Sequence, residues 1–67
     1  MIEAKINGNP TDLAEKTTVQ DYLQAHNYKI ERVAIELNGQ ILPKSAYDSQ
    51  KIKDGDTLEI VSFVGGG

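Results

Sequence analysis

Apolar and charged side chains alternate over residues 2–6, which is typical of a strand with one buried face. Asn7-Gly8 follows, a strong hairpin signal because both residue types tolerate a positive φ. The pattern therefore predicts a returning strand over residues 9–14, with Leu13 pointing inward. Because Pro10 has no backbone N–H to donate, this second strand is expected at a sheet edge.

A short helix is predicted next, since four residues share the spacing i, i+3, i+4 and i+7: Val19, Tyr22, Leu23 and His26. Thr17 or Thr18 can cap its N-terminus, and Asp21 in the first turn suits the positive end of the helix dipole. The helix is expected to end near Asn27, a residue that accepts the left-handed conformation. A helix this short does not persist in water alone, so we expect it to pack on a sheet.

The second half of the chain repeats the hairpin pattern. A strand is predicted over residues 33–37, Asn38-Gly39 forms the turn, and residues 40–42 return until Pro43 stops them. Residues 44–53 are irregular, and Tyr47 and Ile52 are expected to anchor them to the core. After the turn at residues 54–56, the longest strand is predicted over residues 57–64.

Two hairpins, one amphipathic helix and a final strand favour an α+β fold: a mixed sheet of four to five strands with one helix on one face. The length of the final strand suggests a central place in that sheet. Its two faces hold Leu58, Ile60 and Ser62 on one side and Glu59, Val61 and Phe63 on the other. Val61, Phe63 and Val64 then form either an exposed, partner-facing apolar patch or a second small cluster under the loop of residues 44–53.

Composition narrows the function classes. The chain has 67 residues and no cysteine, which excludes disulfides, thiolate metal sites and a cysteine nucleophile within it. Its net charge of −3 and pI near 4.9 argue against a nucleic-acid surface and favour a partner with a basic surface. No apolar stretch approaches the roughly 20 residues of a membrane span, and no basic-then-apolar leader begins the chain, so we expect a cytoplasmic protein without a membrane partner.

Few side chains suggest catalysis or metal binding. His26 is the only histidine and is expected to pack at the helix end rather than act as a base. Asp54 and Asp56 lack the remainder of a calcium loop and are interpreted as turn residues. No nucleophile–base pair or metal-ligand set is visible, so the chain is predicted not to be an enzyme and to bind no cofactor or metal itself.

The chain ends in Gly65, Gly66 and Gly67, where any chemistry belongs to the backbone or to the terminal carboxylate. Three extended residues span only about 10 Å, enough to enter a partner's active site. We therefore divide the chain into a domain over residues 1–64 and a flexible glycine tail over residues 65–67. The alternative interpretations of the three glycines are a frayed terminus and a linker remnant from cloning.

Four segments together resemble the ThiS family: residues 18–23, 33–39, 54–56 and 58–67, the last reading Leu-Glu-Ile-Val-Ser-Phe-Val-Gly-Gly-Gly. ThiS proteins are ubiquitin-like β-grasp sulfur carriers of thiamine thiazole biosynthesis. The resemblance implies that a ThiF-like adenylating enzyme, using ATP and Mg²⁺, activates the Gly67 carboxylate. A persulfide derived from a cysteine desulfurase would then convert it to a thiocarboxylate, which donates sulfur to thiazole synthase. Gly65 is one glycine more than the minimal ending.

Three alternatives stay open at this point. The sulfur-carrying small subunit of molybdopterin synthase resembles this chain in fold and tail but is usually longer. A ubiquitin-like modifier would be joined to lysines of other proteins. A non-catalytic β-grasp binding module would tolerate loss of Gly66 and Gly67.

Overall fold

The computed structural model describes residues 1–63, which form one five-stranded sheet and one α-helix. The elements are β1 (Ile2–Ile6), β2 (Asn9–Leu13), α1 (Val19–Ala25), β3 (Val33–Leu37), β4 (Gln40–Leu42) and β5 (Thr57–Ser62), with single 3-10 turns at Ile30–Arg32 and Lys44–Ala46. The sheet order is β2-β1-β5-β3-β4. The predicted α+β architecture, a mixed sheet of four to five strands with one helix, is confirmed, and the described residues form five strands.

The final strand occupies the centre of the sheet, as predicted. It runs parallel to β1, where Lys5 pairs with Thr57, and antiparallel to β3 over residues 58–62. The two hairpins form as expected, with Asn7 and Asn38 at φ 50° and 52° and a glycine at φ 84° after each. Both central turn positions therefore have the positive φ that suits a two-residue hairpin loop.

Helix α1 begins at a capping box. The Thr18 hydroxyl accepts a hydrogen bond from the Asp21 N–H at 3.0 Å, and the Asp21 carboxylate accepts one from the Thr18 N–H at 3.1 Å. Thr17 instead donates its hydroxyl hydrogen to the Ala14 carbonyl. Such a cap stabilises a helix by about 1 kcal/mol. Beyond the helix, Asn27 adopts φ 63°, the left-handed conformation predicted for it.

The core lies between the helix and one face of the sheet. Of residues 1–63 it contains eleven buried ones: Ala4, Ile6, Leu13, Val19, Leu23, Val33, Ile35, Tyr47, Ile52, Leu58 and Ile60. The predicted anchors Leu13, Tyr47 and Ile52 are all among them. Tyr47 and Ile52 thus close the helix-side core instead of forming a separate cluster on the other face.

His26 does not complete the buried helix stripe, so that part of the sequence interpretation was wrong. The helix has seven residues and ends at Ala25, so the fourth stripe position falls where the backbone already leaves the helix. The His26 side chain is exposed and its ring lies 4.2 Å from the ring of Tyr22. His26 therefore packs against Tyr22 at the protein surface and not in the core.

The last strand is shorter than predicted. It ends at Ser62, because its partner β3 begins at Val33 and Val33 is the residue opposite Ser62. Phe63 lies outside the strand, although its N–H still donates to the Arg32 carbonyl at 2.9 Å. Residue Val64, also placed in the strand by the sequence pattern, lies outside the described residues.

Alkaline pH is expected to destabilise the fold through Tyr47. Burial raises the pKa of its hydroxyl above the ordinary 10.0, and a hydrogen bond with the backbone of Ile35 offsets part of that shift. Because the folded pKa exceeds the unfolded one, this stabilisation is complete below pH 10.0 and is lost as pH rises towards the folded pKa. Urea unfolding on either side of that pH should show the loss, and Tyr47→Phe should lose less. An equal loss in both proteins would contradict this role for Tyr47.

Candidate functional site

The predicted reactive residue, Gly67, lies outside the described residues together with Val64, Gly65 and Gly66. The structure does describe Phe63, the residue after which they follow. Phe63 follows directly on the central strand β5, and its N–H donates to the Arg32 carbonyl at 2.9 Å. The chain therefore reaches its glycine ending from the middle of the sheet.

The outer face of the sheet, opposite the helix, carries an exposed apolar patch. Along β5, Leu58 and Ile60 are 0% and 8% exposed, whereas Val61 and Phe63 are 61% and 49% exposed. Ile41 of β4 is 71% exposed and pairs with Glu36, which faces the same side as Val61. We call Ile41, Val61 and Phe63 the outer patch.

The positions of Tyr47 and Ile52 distinguish the two interpretations of the outer face. Tyr47 and Ile52 belong to the helix-side core, so the loop that carries them does not cover Val61 or Phe63. Of the two alternatives, the exposed apolar surface is the one the fold adopts. Ile41 was not identified from the sequence. The predicted hairpin of β3 and β4 was a signal for it, because the hairpin register puts Ile41 opposite Glu36.

Two carboxylates face each other within this surface. Glu36 of β3 and Glu59 of β5 are directly paired across the strands, and both are exposed. Like charges in this position destabilise a sheet. Within residues 1–63 the one ion pair joins the Met1 amino group to Glu15 at 3.9 Å, so neither glutamate has a cationic partner there. Around the pairing of β3 with β5, the outer face is therefore both apolar and acidic.

Polar side chains stabilise the turn that precedes β5. Asp54 accepts a hydrogen bond from the Glu3 N–H at 2.8 Å, and Asp56 accepts from the Lys53 N–H at 2.8 Å and from the Asn38 amide at 3.0 Å. Both aspartates are thus turn-stabilising residues. Across residues 1–63 no group of three or more His, Cys, Asp or Glu side chains is placed to hold a metal ion.

Over the part of the chain that the structure describes there is no concave pocket, so the candidate site is an exposed surface. No helix among these residues is long and apolar enough to cross a bilayer. The arrangement provides a sheet whose outer face is apolar and acidic around β3 and β5, and whose central strand is followed by Phe63 towards the chain end. Such an arrangement can present a terminal group to another protein.

Comparison with known proteins points to one family. The model of the ThiS family matches residues 4–67. The sulfur carrier protein ThiS of Bacillus subtilis is 36% identical over 64 residues, covering 94% of this chain and 97% of that protein. A thiazole synthase of Paramagnetospirillum magneticum is 42% identical over 62 residues, which are 92% of this chain but only 19% of that protein. The crystal structure of a thiamine biosynthesis protein (ThiS) from Geobacter metallireducens superposes with a TM-score of 0.82 at 38% identity, covering 98% of this chain and all of that one.

Proposed function

The chain belongs to the ThiS family of sulfur carriers in thiamine biosynthesis, and from that membership we propose that it carries sulfur as a thiocarboxylate on Gly67. The observation that carries the proposal is the match of the family model through the last residue, which includes the three terminal glycines. The fold supports it, because the glycine ending continues from the central strand beside an exposed docking face.

A terminal carboxylate needs activation before it can accept sulfur. An α-carboxyl group has an ordinary pKa of about 3.3–3.7, so it is ionised near neutral pH and resists nucleophiles. In the proposed cycle a ThiF-like enzyme uses ATP and Mg²⁺ to form an acyl adenylate on Gly67, with release of pyrophosphate. A persulfide sulfur displaces AMP to give an acyl disulfide, and a thiol then cleaves the disulfide to leave the thiocarboxylate. The catalytic groups belong to the partner enzymes.

The role of this chain is delivery. Glycine side chains add no bulk, so residues 65–67 can pass a narrow channel that a Cβ would obstruct. Three residues reach about 10 Å from the domain, which requires the partner to dock against the domain itself. Holding the tail in place costs conformational entropy, and burial of the outer patch offsets that cost.

Thiazole synthase is the proposed recipient of the sulfur. A thiazole synthase chain contains a stretch 42% identical to this one, which places a domain of this kind in the same molecule as the enzyme in that bacterium. This supports an interaction between the two when they are separate proteins. The ThiF-like enzyme and a persulfide donor from a cysteine desulfurase complete the proposed set of partners.

Intact mass spectrometry tests the proposal. The protein is incubated with a ThiF-like enzyme, ATP, Mg²⁺ and a persulfide-generating cysteine desulfurase, and we expect a mass gain equal to the exchange of one oxygen for sulfur, located at Gly67 by fragmentation. Omission of ATP is the control. If enzymes that modify the Bacillus subtilis protein leave this chain unmodified, the proposed function is wrong. Sulfur transfer only to a molybdopterin-synthase large subunit would reassign the pathway.

The acidic pair is expected to speed association with the adenylating enzyme. Glu59→Gln removes one of two facing carboxylates, so association should slow several-fold at low salt and the difference should shrink as salt rises. The same change should raise domain stability by about 0.2–1 kcal/mol, since it relieves repulsion from Glu36. Asp48→Asn is the matched control, since Asp48 is an exposed carboxylate in the loop that carries the core residues Tyr47 and Ile52. Stopped-flow kinetics and urea unfolding measure the two effects, and identical rates for both variants would contradict the proposed steering.

A further inference from the structure

The backbone groups of β5 point alternately to its two neighbours. Phe63 donates its N–H to the Arg32 carbonyl, and Thr57 accepts from the Asn38 N–H, so the odd-numbered residues bond towards β3. Leu58 instead accepts from the Asn7 N–H at 2.9 Å on the β1 side. By this alternation the N–H and C=O groups of residues 58, 60 and 62 face β1.

Strand β1 accompanies β5 for only part of its length. Their register contains two pairs, ending at Ile6 with Leu58, because the chain turns away at Asn7-Gly8 into β2 on the far side of β1. The Asn7 side chain extends the contact by one step, its Oδ1 accepting from the Ile60 N–H at 2.7 Å. Beyond that point β5 has no neighbouring strand on this side within residues 1–63.

Three backbone groups therefore lie along an open edge: the Ile60 C=O and the N–H and C=O of Ser62. Among the residues that the structure describes, none of them has a hydrogen-bond partner on this side. Ser62 is exposed, and the flanking side chains Val61 and Phe63 are largely exposed as well. We call residues 60–63 the open edge.

The open edge lacks the protection that the outer strands of this sheet have. Proteins guard exposed edges with proline, charged side chains or very short strands. Strand β2 carries Pro10 and Asp12, and β4 is only three residues long. The open edge reads Ile-Val-Ser-Phe, with neither proline nor charge, and it leads directly to the glycine tail.

We propose that an extended segment of the adenylating enzyme adds to the sheet as a strand beside residues 60–63, on the side that β1 vacates. Its backbone accepts the Ser62 N–H and donates to the Ile60 carbonyl, as in other cases of strand addition to a sheet edge. Side chains of that segment on the outer face lie beside Val61 and Phe63 and are therefore expected to be apolar. The pairing aligns the last ordered residues before the tail and so directs Gly67 into the active site; this step rests on the proposed function.

Proline at position 62 tests the pairing. Ser62→Pro removes the N–H that faces the open edge and leaves the bonds of residues 61 and 63 to β3 intact, and proline is tolerated where the N–H of an edge faces solvent. Ser62→Ala removes the hydroxyl but keeps the N–H, so it is the matched control. With a ThiF-like enzyme we expect Ser62→Pro to raise the Kd and lower the adenylation kcat/KM about 5- to 10-fold, the effect of one lost hydrogen bond. Ser62→Ala should match the wild type.

Amide hydrogen exchange of the unmodified protein gives a second measurement that does not depend on how the proline variant folds. In the free protein the Ser62 amide should exchange rapidly while those of Val61 and Phe63 are protected by β3, and the enzyme should slow exchange at Ser62. Equal kinetics for the two Ser62 variants, or unchanged Ser62 exchange in the complex, would overturn the inference even though Gly67 is adenylated. So would protection of Ser62 by thiazole synthase alone or by self-association of this chain. Absence of any adenylation of the wild type would instead reject the proposed function.

Discussion

A single alanine added after Gly67 is expected to lower the rate of thiocarboxylate formation by at least about 100-fold, since a displacement of about 1 Å in a reacting group already has that effect. The added residue moves the terminal carboxylate by up to about 3.5 Å and places a Cβ at the chain end. The folded domain should be unaffected, because the change lies beyond its last strand residue, Ser62. Intact mass spectrometry of the adenylate and of the sulfur-containing product measures the effect.

The matched control is one alanine added before Met1. The Met1 side chain is 85% exposed, at the start of the chain, and the same mass and composition are added there. This protein should be converted at the wild-type rate. If both extended proteins are converted equally well, the reactive carboxylate need not belong to residue 67, and the proposed placement of the thiocarboxylate on Gly67 is wrong.

Leu58→Ala is expected to have the largest effect on stability, about 3–5 kcal/mol. Leu58 is 0% exposed on the central strand, where it packs into the core formed by the helix and the hairpins. Small domains have total stabilities of only about 5–10 kcal/mol, so this variant should be partly unfolded or close to it. Urea unfolding followed by circular dichroism gives the change in the free energy of unfolding.

Val61→Ala is the control for that measurement. It removes an aliphatic side chain from the same strand three residues later, but that side chain is 61% exposed on the outer face. Its cost should stay within about 0.5 kcal/mol, as for other surface substitutions. A similar loss in both variants would show that the two faces of β5 contribute equally to the core, contrary to the burial pattern. Val61→Ala should instead weaken binding of the adenylating enzyme, because it trims the outer patch.

Much of the fold was predictable because it depends on residues close together in the chain. The two Asn-Gly turns need a positive φ that asparagine and glycine tolerate, and the alternation from Ile2 to Ile6 identifies the buried face of β1 without knowledge of its partner. The Thr18 and Asp21 side chains cap the helix three residues apart. The error at the end of β5 concerns how far the strand extends, which depended on β3, distant in sequence. The error at His26 concerns the helix end, since α1 stops at Ala25.

The candidate site divides in the same way. We expect the terminal carboxylate of Gly67 to be the reactive group, and this expectation needs only the sequence and the family resemblance. The outer patch needed the register of β4 on β3 and of β3 on β5, since Ile41 and Val61 are 20 positions apart. The facing pair of Glu36 and Glu59 is likewise a product of that register.

The sequence by itself determined the elements, their order and the two faces of most strands, though not those of β4, because periodicity and turn chemistry act between near neighbours. Only the tertiary structure decided that β1 leaves β5 after Ile6 and that the Asn7 side chain accepts from the next backbone donor. It also decided that Ile60 and Ser62 face an edge beside which residues 1–63 place no strand. The physical reason is that the hydrogen-bond partners of a strand's backbone groups depend on which strands lie beside it. Pairing between residues more than 50 positions apart, such as Ile6 with Leu58, is not encoded in any local pattern.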